Sequence, residues 1–135
     1  MRNSARSPKG RLPTEVLTNL LSNARYEVLP TPTVEEKVLA HLPTGRAITV
    51  TASPAKGLEP TLDLAERLVK QGYAVVPHLA ARMVRDRTQL AEICDRLTTA
   101  GVKSVFVPAG DQTPPAGSYD GALPLLEDLT SLGQP

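Results

Sequence analysis

Aromatic side chains are nearly absent. Phe, Tyr and Trp make up 3 % of the chain, and there is no Trp. That argues against an interface built on base stacking. A surplus of one charge is missing too. Fifteen basic and fourteen acidic residues leave a formal charge of +1, so neither a nucleic acid nor an anionic membrane is implied as the main partner. The one cysteine, Cys94, allows neither an internal disulfide nor a cysteine-rich zinc site, and it points to the cytosol. With only two histidines, His41 and His78, no metal site is expected. No apolar run approaches the length needed to span a bilayer. Arg2, Arg6, Lys9 and Arg11 precede Leu12 without an apolar stretch, which is not the pattern of a secretory signal. Neither G-x-G-x-x-G nor G-x-x-x-x-G-K-[ST] occurs. A dinucleotide Rossmann domain and a P-loop are therefore disfavoured.

What remains is an ordinary domain of 135 residues, 41 % apolar. Residues 1–23 read as a basic flexible leader with a short amphipathic helix over 13–23, where Val16, Leu17, Leu20 and Leu21 share one side. From 24 to 135, strand and helix alternate. Residues 24–29 (A-R-Y-E-V-L) form the first expected strand. Thr33 and Glu36 have the spacing of a capping box, starting a helix to about Leu42. The β-branched run 47–51 is the second strand. Residues 60–71 give a helix whose apolar face is Leu62, Ala65, Leu68 and Val69, with Gly72 as its stop. Residues 73–77 form the third strand. Residues 87–100 form the most regular helix, with Leu90, Ile93, Cys94 and Leu97 at i, i+3, i+4 and i+7, Asp86 as its cap and Gly101 closing it. Residues 102–107 (V-K-S-V-F-V) are the expected fourth strand, and 119–132 the last helix.

Four βα units make a parallel sheet with right-handed crossovers. Periodicity leaves two architectures open, a doubly wound sheet and half of a (β/α)₈ barrel. In both, chemistry gathers at the C-terminal ends of the strands. Glu27 stands within the first strand, where a sheet covered on both faces calls for an apolar residue. Sequestered from water, it would suit a general acid. Thr49 and Thr51 end the second strand, His78 the third, and Gly110 and Asp111 follow the fourth. Gly110 permits a close backbone approach, and the loop A-G-D-Q-T-P-P-A-G is stiffened by two prolines. Cys94, on an apolar helix face, reads as a buried inert thiol. His41, at a helix end, reads as a surface residue.

Y-E-V-L-P, T-V-T-A, V-V-P-H-L and A-G-D-Q-T-P-P-A-G, in this order from about Tyr26 to Leu129, resemble the methylenetetrahydrofolate reductase family. The resemblance covers the N-terminal half of that family's (β/α)₈ barrel. It implies an α/β fold of four βα units with flavin, as FAD, bound at the C-terminal rim. It further implies hydride transfer from NAD(P)H through the flavin to 5,10-methylenetetrahydrofolate, giving 5-methyltetrahydrofolate. By position, Glu27 would be the general acid and Asp111 would tune charge near flavin and folate. Thr51 would bond the flavin ring, and His78, Gly110 and Tyr119 would line the flavin site. Two departures stand out. Ala109 occupies the place of the family's usual arginine, and A-S-P follows the second strand in place of a glycine-containing continuation. The counterparts of strands five to eight are not in this sequence, so activity implies a homo-oligomer or a partner that completes the barrel. A truncated, non-catalytic half-barrel and a protein-binding or assembly module are the alternatives.

Overall fold

The computed structural model describes Gly10 and residues 13–133; most of the basic leader lies outside the described residues. The elements are α1 (Thr14–Ser22), β1 (Tyr26–Val28), α2 (Val34–His41), β2 (Ala47–Val50), α3 (Glu59–Lys70) and β3 (Ala74–Pro77). A 3₁₀ turn (Ala81–Met83), α4 (Arg87–Ala100) and α5 (Ala122–Ser131) follow. None of the helices among the described residues is long and apolar enough to cross a membrane.

The strands are parallel and lie in the order β1-β2-β3. The register sets Glu27 level with Thr49, and Thr49 level with Val76. Side chains alternate across a sheet. Val28, Ile48, Val50 and Val75 therefore share one face, where they pack with Val38 of α2 and with Leu64, Ala65 and Leu68 of α3. A second cluster joins Leu58 and Leu62 to Leu79, Met83 and Val84, to the apolar stripe of α4, and to Tyr119 and Leu125. α3 serves both clusters because its apolar arc is wide.

The neighbouring helices are each joined by an arginine. Arg67 of α3 meets Glu35 of α2 at 2.6 Å. Arg96 of α4 meets three α3 carboxylates, Glu59 at 2.7 Å together with Asp63 and Glu66. Those acids stand at i, i+4 and i+7, one side of the helix. The hydrogen bond to Glu66 is the leading cause that holds the Arg96 guanidinium above its ordinary pKa. Arg87 of α4 reaches Asp128 of α5 at 2.7 Å.

α4 follows the sequence closely. Asp86 accepts from the Gln89 amide at 2.8 Å, and Gln89 Oε1 accepts from the Arg85 amide at 2.8 Å. The two side chains satisfy donors that a helix start leaves open. Gly101 ends the helix in the left-handed region at φ 92°. α2 differs from expectation. Thr33 is its N-cap residue but makes no side-chain cap bond, so the anticipated capping box is not formed. Thr33 has φ −105° and ψ 0°, not the extended backbone from which a cap side chain reaches forward.

The fourth strand is the main correction. The segment 102–107 meets β3 through a single parallel bridge, His78 with Phe106. Phe106 donates to the Pro77 carbonyl at 3.0 Å, and Leu79 donates to the Phe106 carbonyl at 2.8 Å. One step down this ladder, the Ser104 carbonyl would need an N–H from residue 77, and proline has none. Pairing stops there. The segment splays from β3, and Tyr73–Val76 on one side and Gly101, Lys103 and Ser104 on the other help line a cavity of about 410 Å³.

Large apolar side chains stay exposed in particular places: Val16, Leu17, Leu20 and Leu21 along α1, then Tyr26, Leu29, Leu39, Phe106, Leu123 and Leu126. α1 buries no residue.

Candidate functional site

The side chains that alternate with the helix-facing row are Glu27, Thr49, Thr51, Val76 and His78, and none of them belongs to either hydrophobic cluster. They define the second face of the sheet. Thr51 and His78 follow the Val50–Pro77 pair by one residue, which brings them side by side at the C-terminal end. His78 lies against Phe106, ring centroids 4.9 Å apart and tilted by 51°. The structure therefore gathers Thr51, His78 and Phe106 into one row across three chain segments. Phe106 was not singled out from the sequence, where it sits unremarked in an apolar run.

Glu27 is one row lower, on the edge strand. Its side chain is exposed, which corrects the expectation of a sequestered carboxylate. β1 has a strand neighbour on one side only among the described residues, and none of them closes over Glu27. Asp111 follows Gly110 in the loop that packs on Ala80 after β3, and it is also exposed.

The loop that carries Gly110 and Asp111 is held rigidly. Gly110 has φ 89°, and a Cβ there would stand 3.0 Å from the Ala80 Cβ, so only glycine fits without strain. Gly117 is tighter still, since a Cβ there would fall on the Arg85 carbonyl group. The backbone of this loop also bonds to residues 81–85: Ala81 donates to Pro108, Arg82 to Ala109, Ala116 to Arg82, and Ser118 to Arg85.

Arg82 organises the loop and was missed in the sequence. Its Nε donates to the Gln112 carbonyl at 2.8 Å and a terminal nitrogen to the Asp120 carbonyl at 3.0 Å. The guanidinium fork suits two carbonyls at fixed positions. No local pattern announces the role, because its partners lie 30 and 38 residues away.

Tyr119 occupies a different environment from the other rim residues. It is 2 % exposed, packed in the α4–α5 core, and its hydroxyl donates to Asp128 Oδ2 at 2.6 Å. Its side chain anchors the loop's end to α5 and does not present a free face to a ligand. Cys94 is buried, as its place on the apolar stripe implied, and burial pushes its thiol pKa up. His41 ends α2 exposed.

Five cavities of the fold are lined by other residues than Glu27, Thr51, His78 and Asp111. On this face Thr49 and Val76 are buried, Thr51 and His78 are half-buried, and Glu27 is exposed. Among the described residues, no group of three or more His, Cys, Asp or Glu is arranged to hold a metal ion. No protein-family model matches the sequence.

The rim offers two polar groups to a ligand. Thr51 offers a hydroxyl and His78 an imidazole, neither engaged in a side-chain hydrogen bond among the described residues.

Proposed function

We propose that this chain is a flavin-binding half of a (β/α)₈ barrel and that, completed by a second half, it reduces 5,10-methylenetetrahydrofolate with electrons from NAD(P)H. The observation that carries the reading is the row at the C-terminal strand ends, Thr51 beside His78 and Phe106. Strand order adds support. The sheet runs β1-β2-β3 with the Phe106 segment next, the sequence of a singly wound sheet. A doubly wound sheet would reverse direction part-way.

In this reading Thr51 and His78 hold the flavin edge, and Gly110 keeps the loop backbone close to it. The bound flavin supplies the hydride carrier between nicotinamide and folate. Glu27 donates a proton to the folate nitrogen released when the methylene bridge opens. That role requires the second half to cover Glu27, since exclusion of water is what favours a neutral carboxylic acid. Asp111 sets the charge near the ring. Arg82 and Tyr119 position the loop without touching the ligand.

The exposure of Glu27 also favours a second reading, in which the half-barrel is an assembly module without catalysis. A flavin titration separates the two. The purified chain is mixed with FAD, and the flavin absorbance and fluorescence are followed. Binding with a perturbed spectrum, lost on Thr51→Val or His78→Ala, supports the oxidoreductase reading. An unperturbed spectrum at saturating protein rejects it in favour of the module.

A further inference from the structure

Exposed apolar side chains are not scattered over this protein. β2, α3, β3 and α4 carry none of the large ones. They fall at the two ends of a linear array of βα units. At the head are the strip on α1, Tyr26 and Leu29 around β1, and Leu39 on α2. At the tail are Phe106 of the fourth segment and Leu123 and Leu126 on α5. Leu39 is 46 % exposed, and Leu123 is 66 % exposed. An array in which only the terminal units expose such residues is one whose ends are interfaces.

The two ends also match each other. The head is a strand with a free outer edge followed by a helix with an exposed leucine. The tail is a strand-like segment with a free outer edge followed by a helix with two. Strand edges without partners are templates for pairing. A head-to-tail seam would therefore join apolar to apolar.

We infer that the tail of one copy docks on the head of a second copy, and that two copies close on each other around a two-fold axis. Four strand positions in each copy make eight, the number at which a parallel barrel closes with its interior filled by side chains. The second copy's β1 runs parallel to the Phe106 segment, and its α2 lies along α5, so Leu39 meets Leu123 and Leu126. The same seam recurs on the other side, leaving no free edge. This inference rests on the half-barrel reading and names the missing half as this chain itself. Head-to-tail association closes into a ring only when the rotation fits, and otherwise it runs on as a fibre.

Light scattering on the purified full chain tests it. The expected mass is twice the 14.4 kDa of one chain. Leu126→Glu and Leu39→Lys change exposed positions, so each variant should fold with a wild-type circular dichroism spectrum. Each alone should be monomeric. Mixed in equal amounts, they should form a dimer at least tenfold tighter than either variant's self-association. One seam of that dimer pairs the introduced carboxylate with the introduced ammonium, and the other keeps the native contact of Leu39 with Leu126. A monomeric wild type, an extended fibre, a dimer indifferent to both substitutions, or variants that fail to complement on mixing would each overturn the inference. Flavin absorbance on the same samples keeps the two readings apart. A dimer that does not bind FAD leaves this inference standing and sinks the flavin reading. A monomer that binds FAD does the reverse.

Discussion

Tyr119 and Asp128 are joined by a 2.6 Å hydrogen bond, the phenol donating to the carboxylate, with Arg87 on the other carboxylate oxygen at 2.7 Å. The bond ties the end of the Gly110–Asp111 loop to α5, and Arg87 ties α5 to α4. Burial, then the bond to Asp128, pushes the Tyr119 hydroxyl up to about 12. The same bond, opposed in part by burial and aided by Arg87, holds Asp128 below the ordinary carboxylate value.

Two pH limbs follow from those directions. The tyrosine's folded value is raised, so its contribution is complete below the unfolded value of about 10 and is lost as pH climbs toward 12. The aspartate's folded value is lowered, so its contribution is present above about pH 4 and is lost as pH falls through the lowered value. Tyr119→Phe should lower the melting temperature at neutral pH by a few degrees and flatten both limbs. Thermal unfolding across the pH range reads this out. An alkaline limb as steep as the wild type's would show that the bond is not its origin.

Gly117→Ala should cost about 2 to 3 kcal/mol, because the new Cβ has a backbone oxygen in its place and the loop must move away. Gly121→Ala is the matched control. Nothing stands within 4 Å of a Cβ there, and the backbone is extended at φ −160°, so the change should stay within about 0.5 kcal/mol. Urea unfolding of the two variants side by side makes the comparison. Equal effects would mean that loop packing on Arg85 contributes little.

Glu27→Gln should leave folding unchanged, since the side chain is exposed and makes no bond among the described residues. In the reductase reading it should abolish folate reduction while flavin reduction by the nicotinamide continues. Stopped-flow bleaching of the flavin reports one half-reaction, and product analysis the other. Retention of both half-reactions removes Glu27 from the chemistry.

Pro77→Val supplies an amide where the Ser104 carbonyl has none to accept. The fourth strand should then extend downward, and the Ser104 amide, newly able to reach Val75, should exchange at least tenfold more slowly. Hydrogen exchange followed by NMR measures it. Unchanged exchange at Ser104 would assign the splay to the turn at Gly101 and not to the proline.

The elements whose signals are local were legible in the sequence. α4 was, because its apolar stripe, its Asp86 cap and its Gly101 stop all lie within sixteen residues. α3 was as well, within one residue at each end. The fourth strand was not. Its own composition is strongly β-forming, and the obstacle sits in a neighbouring strand, at Pro77. Glu27 was found as a residue out of pattern, but its burial was misjudged because β1 is an edge. Arg82 and Gly117 carry the loop through contacts that no spacing rule encodes, since their partners are distant in the chain or are plain backbone.

The two apolar clusters divide the chain by order of synthesis. Every buried member of the one around Ile48 and Val50 comes from residues 38–75, while the other needs side chains as late as Leu125. A chain emerging from the ribosome N-terminus first thus holds all the material for one core when α4 and α5 have yet to be made. The lower half of α3 has its partners at that moment, and Leu58 and Leu62 must wait for theirs. Synthesis order thus allows one core to close while the α3 flank at Leu58 and Leu62 still awaits its partners.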